Sequence, residues 1–124
     1  EINNLDSADI IVAGGKGMKN AEGFELLKRL ADKLGGTVGA SRVAVEMGLA
    51  SPGIQVGQTG KTVNPKLYIA CGISGALQHT IGMKNSAKII GINTDKNAPI
   101  FDICDYGMVG DAFEIIPKLL EVLD

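Results

Sequence analysis

The sequence predicts an α/β domain: an open, doubly wound parallel sheet flanked by helices. Three observations lead there. Short apolar runs recur without polar alternation, as strands buried on both faces do. Segments with helical periodicity separate them. Small-residue turns follow the runs, at the strand ends where such sheets receive ligands.

The first run, Asp9 to Ala13, ends in Gly14-Gly15 and reads as a buried strand. Asn20 can cap the helix that follows, in which Phe24, Leu27, Ala31 and Leu34 recur at helical spacing. Glu22 and Glu25 come early and Lys28, Arg29 and Lys33 late, as the helix dipole prefers, and Gly35-Gly36 stops it. Thr37 to Ala40 is a second short strand, delivering Ser41-Arg42 to its end; a brief helix is expected around Val43 to Met47. Ala50 to Pro65 is glycine- and proline-punctuated loop. Leu67 to Cys71, Lys88 to Asn93 and Ile100 to Cys104 are further runs of strand length. Helices are expected over Ser74 to Met83 and Asp111 to Leu123, the second split or restarted at Pro117.

Composition narrows the function. The 124 residues carry a net charge of −2 and 4% aromatics, with no Trp. That excludes a basic nucleic-acid binder and makes no stacking platform for single strands. No stretch has the length of a membrane span, so no direct membrane insertion is expected. Cys71 and Cys104 each end an apolar run and read as buried thiols in strands, and no metal cluster stands out. Seventeen glycines cluster at strand ends and turns, which suggests backbone approaching a ligand closely.

The chemistry concentrates between Gln55 and His79. A polar loop (Gln55, Gly57, Gln58, Thr59, Gly60, Lys61, Thr62) offers hydroxyls and amides to a flat, polar-edged ligand. A strand follows, then a turn with Gly72, Ser74 and Gly75, then a helix with Gln78 and His79. Strand, small-residue turn and helix start in that order make an anion site. Gly60-Lys61-Thr62 fails as a phosphate-loop motif, because Gln55 stands where glycine is required. Gly15-Lys16-Gly17 is a partial dinucleotide fingerprint, since its third glycine falls on Asn20; a tight turn explains it equally well. His79, the lone histidine, reads as structural or as a ligand contact with equal weight. Arg42, directly after a strand end, points to a ligand contact. Asp95, Asp105 and Asp111 also follow apolar runs, where a carboxylate can hold a ribose; Asp111 reads equally as an N-cap.

Several ordered blocks then carry a family resemblance. They are Gly14 to Gly17, Gly39 to Arg42, Gln55 to Ala70, Gly72 to His79, Gly82 to Ser86, Ile92 to Phe101 and Asp105 to Asp111. From about Ala8 onward the chain resembles the C-terminal, FAD-binding domain of the electron transfer flavoprotein alpha subunit. Thr94 stands where that family often has Lys, and Lys16 and Met18 where it often has Arg and Leu.

The resemblance implies a Rossmann-like fold and FAD as cofactor. It implies an electron carrier, not an enzyme with substrate turnover of its own. Residues 1–124 are then one FAD-binding domain of a longer alpha subunit, whose N-terminal domain this chain lacks. The implied partners are a beta subunit in a heterodimer, dehydrogenases as electron donors, and a quinone oxidoreductase or other acceptor. Isolated from the beta subunit, the domain is expected to hold FAD more weakly. The implied compartment is bacterial or archaeal cytoplasm, with the mitochondrial matrix as alternative. By the same carry-over, the Arg42 guanidinium lies against the flavin ring, Thr59 bonds N5 and His79 reaches the O2 carbonyl. Gln55, Gln58, Gly60 and Gln78 belong to the polar lining. Ser41, Ser74 and Gly75 match positions around the pyrophosphate, and Asn93 and Asp111 positions near the adenosine. The competing reading is an NAD(P)-binding domain of a dehydrogenase or transhydrogenase, against which the incomplete fingerprint at Gly15 to Asn20 weighs. A non-redox AMP or ADP sensor would have no use for the ring-facing set Arg42, Thr59 and His79.

Overall fold

In the computed structural model, residues 5–124 are described, and five strands form one parallel sheet. They are β1 (Ile10–Gly14), β2 (Thr37–Ala40), β3 (Leu67–Cys71), β4 (Lys88–Asn93) and β5 (Tyr106–Val109), in the spatial order β2-β1-β3-β4-β5. The chain moves outward from β1 to β2 and, in the other direction, from β3 to β4 and β5. The β1–β3 boundary is therefore the switch point, where neighbouring strand ends leave room for a ligand.

Each central strand feeds two cores, which explains the missing alternation. On β3, Tyr68 and Ala70 join one cluster with Ile11, Ala13, Val56, Val63, Met83, Ile89 and Ile100. Ile69 and Cys71 face the other, with Val12, Leu27, Leu30, Ile92 and Ile116. The second face is covered by α1 (Ala21–Leu34) and α5 (Ala112–Leu123), which pack on each other. Asn20 caps α1 by accepting from Gly23 N–H at 3.0 Å, and Gly35 ends it in the left-handed conformation. The first face is covered by the 54–63 loop, by α3 (Leu77–Thr80), whose His79 meets Tyr68, and by α4 (Ile100–Ile103); α2 (Arg42–Glu46) follows the carboxyl end of β2.

Five expectations need correction. Ile100 to Cys104 is not a strand: Cys104 N–H bonds the Ile100 carbonyl at 3.1 Å, closing the turn of α4. Pro99 opens that turn with its φ already set, and only one side of it is apolar and covered: Ile100 is buried, Asp102 and Ile103 exposed. The fifth strand is instead Tyr106–Val109, a mostly exposed edge strand without the apolar run of its neighbours. Asp105 therefore precedes a strand, and its carboxylate accepts from Ile89 N–H at 2.8 Å at the opposite end of the sheet. Cys104 consequently sits at the end of α4, not in a strand. The helix expected over Ser74 to Met83 is reduced to Leu77–Thr80. The Ser74 carbonyl is taken by Ile100 N–H at 2.8 Å, and a side chain on Gly75 would lie 2.3 Å from Ile100 N. The 74–75 turn is thus fitted against α4, and no helix dipole starts there. Finally, α5 runs through Pro117 unbroken.

Candidate functional site

Three strand ends are stitched together by glycine turns. Gly15 N–H bonds the Cys71 carbonyl at 3.0 Å, Gly17 N–H the Gly72 carbonyl at 3.0 Å, and Gly72 N–H the Ile92 carbonyl at 2.9 Å. Gly72 has φ +65°, and a Cβ there would sit 2.8 Å from the Gly17 carbonyl carbon. Only bare backbone allows the two turns to close on each other. Beside them opens a cavity of about 810 Å³, at the carboxyl ends of β1 to β4. That is within the range of small-molecule and cofactor sites.

Its polar lining comes from separated segments. Ser41, Arg42, Gln55, Gln58, Thr59, Ser74, Gln78, His79 and Asn93 all border it. Gly60, Gly75 and Asp111 do not: Gly60 shapes the loop turn, Gly75 packs on Ile100, and Asp111 caps α5 by accepting from Phe113 N–H at 2.9 Å. Ser41 Oγ accepts from Ala44 N–H at 3.2 Å and so starts α2. Arg42 is the first residue of that helix, and its Nε bonds Glu46 Oε2 at 3.0 Å, with both side chains about three-fifths exposed at 61% and 60%. The pair is a weak surface contact that a ligand can displace.

The 55–62 loop is held by backbone on both sides: Val56 N–H bonds the Ala40 carbonyl at 2.9 Å, and Gln58 N–H the Gln78 carbonyl at 2.6 Å. Within it, Gln55 Nε2 donates to Thr59 Oγ1 at 2.9 Å. That leaves the Thr59 hydroxyl hydrogen for another acceptor. Asn93 is braced, donating to the Ile73 carbonyl at 3.0 Å and accepting from Asp95 N–H at 2.9 Å.

His79 is buried at 7% exposure, with Nε2 2.8 Å from the Tyr68 hydroxyl and a buried Nδ1 that has no hydrogen-bond partner. Burial lowers its pKa to about 4, the Val56 backbone pulling the other way, so the ring is neutral near pH 7. Burial likewise raises Tyr68 well above the usual phenol range and pushes the Cys71 thiol up to about 12, leaving both protonated.

Among the lining residues that the sequence does not single out as ligand contacts are Lys16, Lys19, Val43 and Glu46. The partial fingerprint at Gly15-Lys16-Gly17 was the available signal for the first. Lys19 carries none: its φ of +70° and its Nζ 5.5 Å from the Phe113 ring are tertiary facts. With Arg42, these lysines give one margin of the cavity a cationic character. Such an arrangement can hold an anionic chain along its lysine side and a polar-edged ring by its amides, hydroxyl and imidazole. Among the described residues, no helix is long and apolar enough to cross a membrane, and no group of three His, Cys, Asp or Glu could hold a metal ion.

Comparison with known proteins points the same way. The family model described as the electron transfer flavoprotein FAD-binding domain matches residues 4–84. An electron transfer flavoprotein subunit alpha from Thermoanaerobacterium thermosaccharolyticum is 60% identical over 118 residues, covering 95% of this chain and 36% of that protein. A mitochondrial subunit alpha from Dictyostelium discoideum is 60% identical over 117 residues, covering 94% of this chain and 33% of that one. The chain thus spans about a third of the length of these relatives. Among solved structures, a chain from Mycobacterium smegmatis described as a thiamin diphosphate-dependent enzyme superposes with a TM-score of 0.59 at 15% identity. It covers 98% of this chain and 26% of that one, a likeness of fold alone.

Proposed function

The chain belongs to the electron transfer flavoprotein FAD-binding domain family, and from that premise we propose that its cavity holds FAD for electron transfer. The reading takes the 124 residues as one FAD-binding domain of an alpha subunit. The observation that carries it is the convergence of Arg42, Thr59 and His79, from three separate segments, on one cavity of about 810 Å³.

Bound FAD supplies the uptake and release of electrons. The protein's part is to bind, orient and tune. Arg42 swings from Glu46 to the ring edge, where a permanent cation favours the added negative charge. Thr59, already accepting from Gln55, turns its hydroxyl hydrogen toward a ring nitrogen. Gln58 and Gln78 supply amides along the ribityl chain, and Ser41, Ser74 and the lysine margin face the pyrophosphate. Gly60 and Gly75 shape the backbone of the loop and turn, and Asn93 stands toward the adenosine, while Asp111 lies outside the cavity lining and caps α5.

In the whole protein, a beta subunit completes the site, dehydrogenases donate the electrons, and a quinone oxidoreductase or similar acceptor receives them. Bacterial and mitochondrial relatives are both close in sequence, which fits a bacterial cytoplasm or a mitochondrial matrix equally. The domain carries electrons without turning over a substrate.

The test is a visible absorption spectrum after FAD addition, followed by stepwise reduction. Saturable binding with a perturbed flavin band and reversible reduction supports the reading. Tight NAD(P)H binding by protein that leaves FAD free rejects it.

A further inference from the structure

We propose that Tyr68 is a positioning residue, whose buried hydroxyl donates to His79 Nε2 and thereby places the imidazole proton on Nδ1, in a ring that borders the cavity. Tyr68 lies on β3 with no exposed surface, and its hydroxyl meets Nε2 at 2.8 Å with the two rings tilted by 59°. Two proton arrangements are available to a neutral ring. If Nε2 carried the proton, the tyrosine oxygen would accept it. The phenolic hydrogen would then need another acceptor, and the bare Nδ1 would lack a donor.

If the tyrosine donates, the phenolic hydrogen and Nε2 satisfy each other, and one group alone is left over: an Nδ1–H. Buried polar groups are seldom left unpaired, so the second arrangement is favoured. Burial keeps the phenol protonated and the imidazole neutral, as this arrangement requires. The Val56 backbone raises the His79 pKa, as an acceptor near a ring N–H does, but nothing meets Nδ1 at hydrogen-bond geometry.

The consequence for the ligand rests on the FAD reading above. An Nδ1–H without a partner suits a carbonyl oxygen on the edge of a flat ligand, and it delivers a neutral donor, not a second cation. Tyr68 thus leaves Arg42 as the ring-facing positive charge and makes His79 a donor of fixed direction.

The chain has one histidine, so its ring nitrogens give one set of signals in a two-bond 1H–15N spectrum of the ligand-free chain. The expected result is Nδ1 in the N–H range and Nε2 in the bare range, unchanged from about pH 8 to about pH 5.5. Tyr68→Phe is expected to lose that preference, both nitrogens moving toward averaged positions. An Nε2–H tautomer in the native chain, or an unaltered tautomer in folded Tyr68→Phe, overturns the proposal.

Should Tyr68→Phe fail to fold, 3-fluorotyrosine labelling gives the same information. The fluorinated phenol is a stronger donor and is expected to shift Nε2; the other tyrosine, Tyr106, is exposed on the edge strand. An unmoved Nε2 signal overturns the proposal. In the FAD-loaded chain, Tyr68→Phe and His79→Leu are expected to shift the reduction potential downward together; a shift in His79→Leu alone overturns the link to the ligand. The ligand-free spectra fail independently of whether FAD binds, so the two readings are separable.

Discussion

Gly17 and Gly72 meet backbone to backbone at the floor of the cavity, each turn leaving no room for a side chain on the other. A Cβ on Gly17 would lie 2.7 Å from Gly72 Cα, and one on Gly72 would lie 2.8 Å from Gly17 Cα, at a φ of +65°. The ends of β1 and β3 are thereby locked at the switch point where the ligand is proposed to sit.

Gly72→Ala should therefore cost about 1–3 kcal/mol from backbone strain alone, and the contact with Gly17 adds to it. FAD binding should fall with the altered floor. Chemical denaturation and an FAD titration of the variant measure both.

Arg42→Ala should barely alter stability, because its pairing with Glu46 is an exposed i,i+4 contact worth about 0.3–0.5 kcal/mol. It should lower the reduction potential of bound FAD, about 59 mV answering to each tenfold loss of preference for a one-electron-reduced form. A redox titration that gives the native potential counts against a ring-facing Arg42.

His79 makes stability depend on pH. Its pKa falls from 6.5 in the unfolded chain to about 4 in the fold, so between those values the unfolded chain binds the extra proton. Stability therefore rises with pH across that window and is lost as pH drops from 6.5 toward 4, by about 3 kcal/mol in total. Denaturation midpoints of the native chain and of His79→Gln, compared from pH 7 to pH 4, isolate this contribution; His79→Gln should show the shallower loss.

Asp111→Ala removes the cap from α5, whose Phe113 N–H loses its acceptor. A loss of about 1 kcal/mol is expected, while Asp111→Asn should keep most of the native stability. Thermal melts of the two variants check the difference.

Much of this was legible in the sequence, and the failures share a cause. β2, β3 and β4 appear over the residues their apolar runs mark, because a strand buried on both faces must be apolar throughout. β5 was missed because an edge strand is released from that demand, and Tyr106-Gly107 resembles a turn. Ile100 to Cys104 has the length and apolarity of a strand, yet Pro99 and one-sided burial make it a helical turn. Such short runs carry too few residues for periodicity to decide. At the site, Arg42, Thr59 and His79 were legible because each belongs to a distinctive local block. Lys19 and Glu46 were not, since nothing local marks a lysine strained to φ +70° or a glutamate paired one helical turn after Arg42. The Tyr68–His79 contact was equally hidden, being a relation between a strand and a helix eleven residues apart.

The central claim is that FAD lies in the cavity with its ring against Arg42, Thr59 and His79. Amide chemical-shift mapping of the chain during an FAD titration tests it most directly. The expected result is saturable shifts concentrated at residues 15–19, 41–46, 55–60 and 72–79. Shifts confined to β5 and the outer face of α5, or none at saturating FAD, would contradict it.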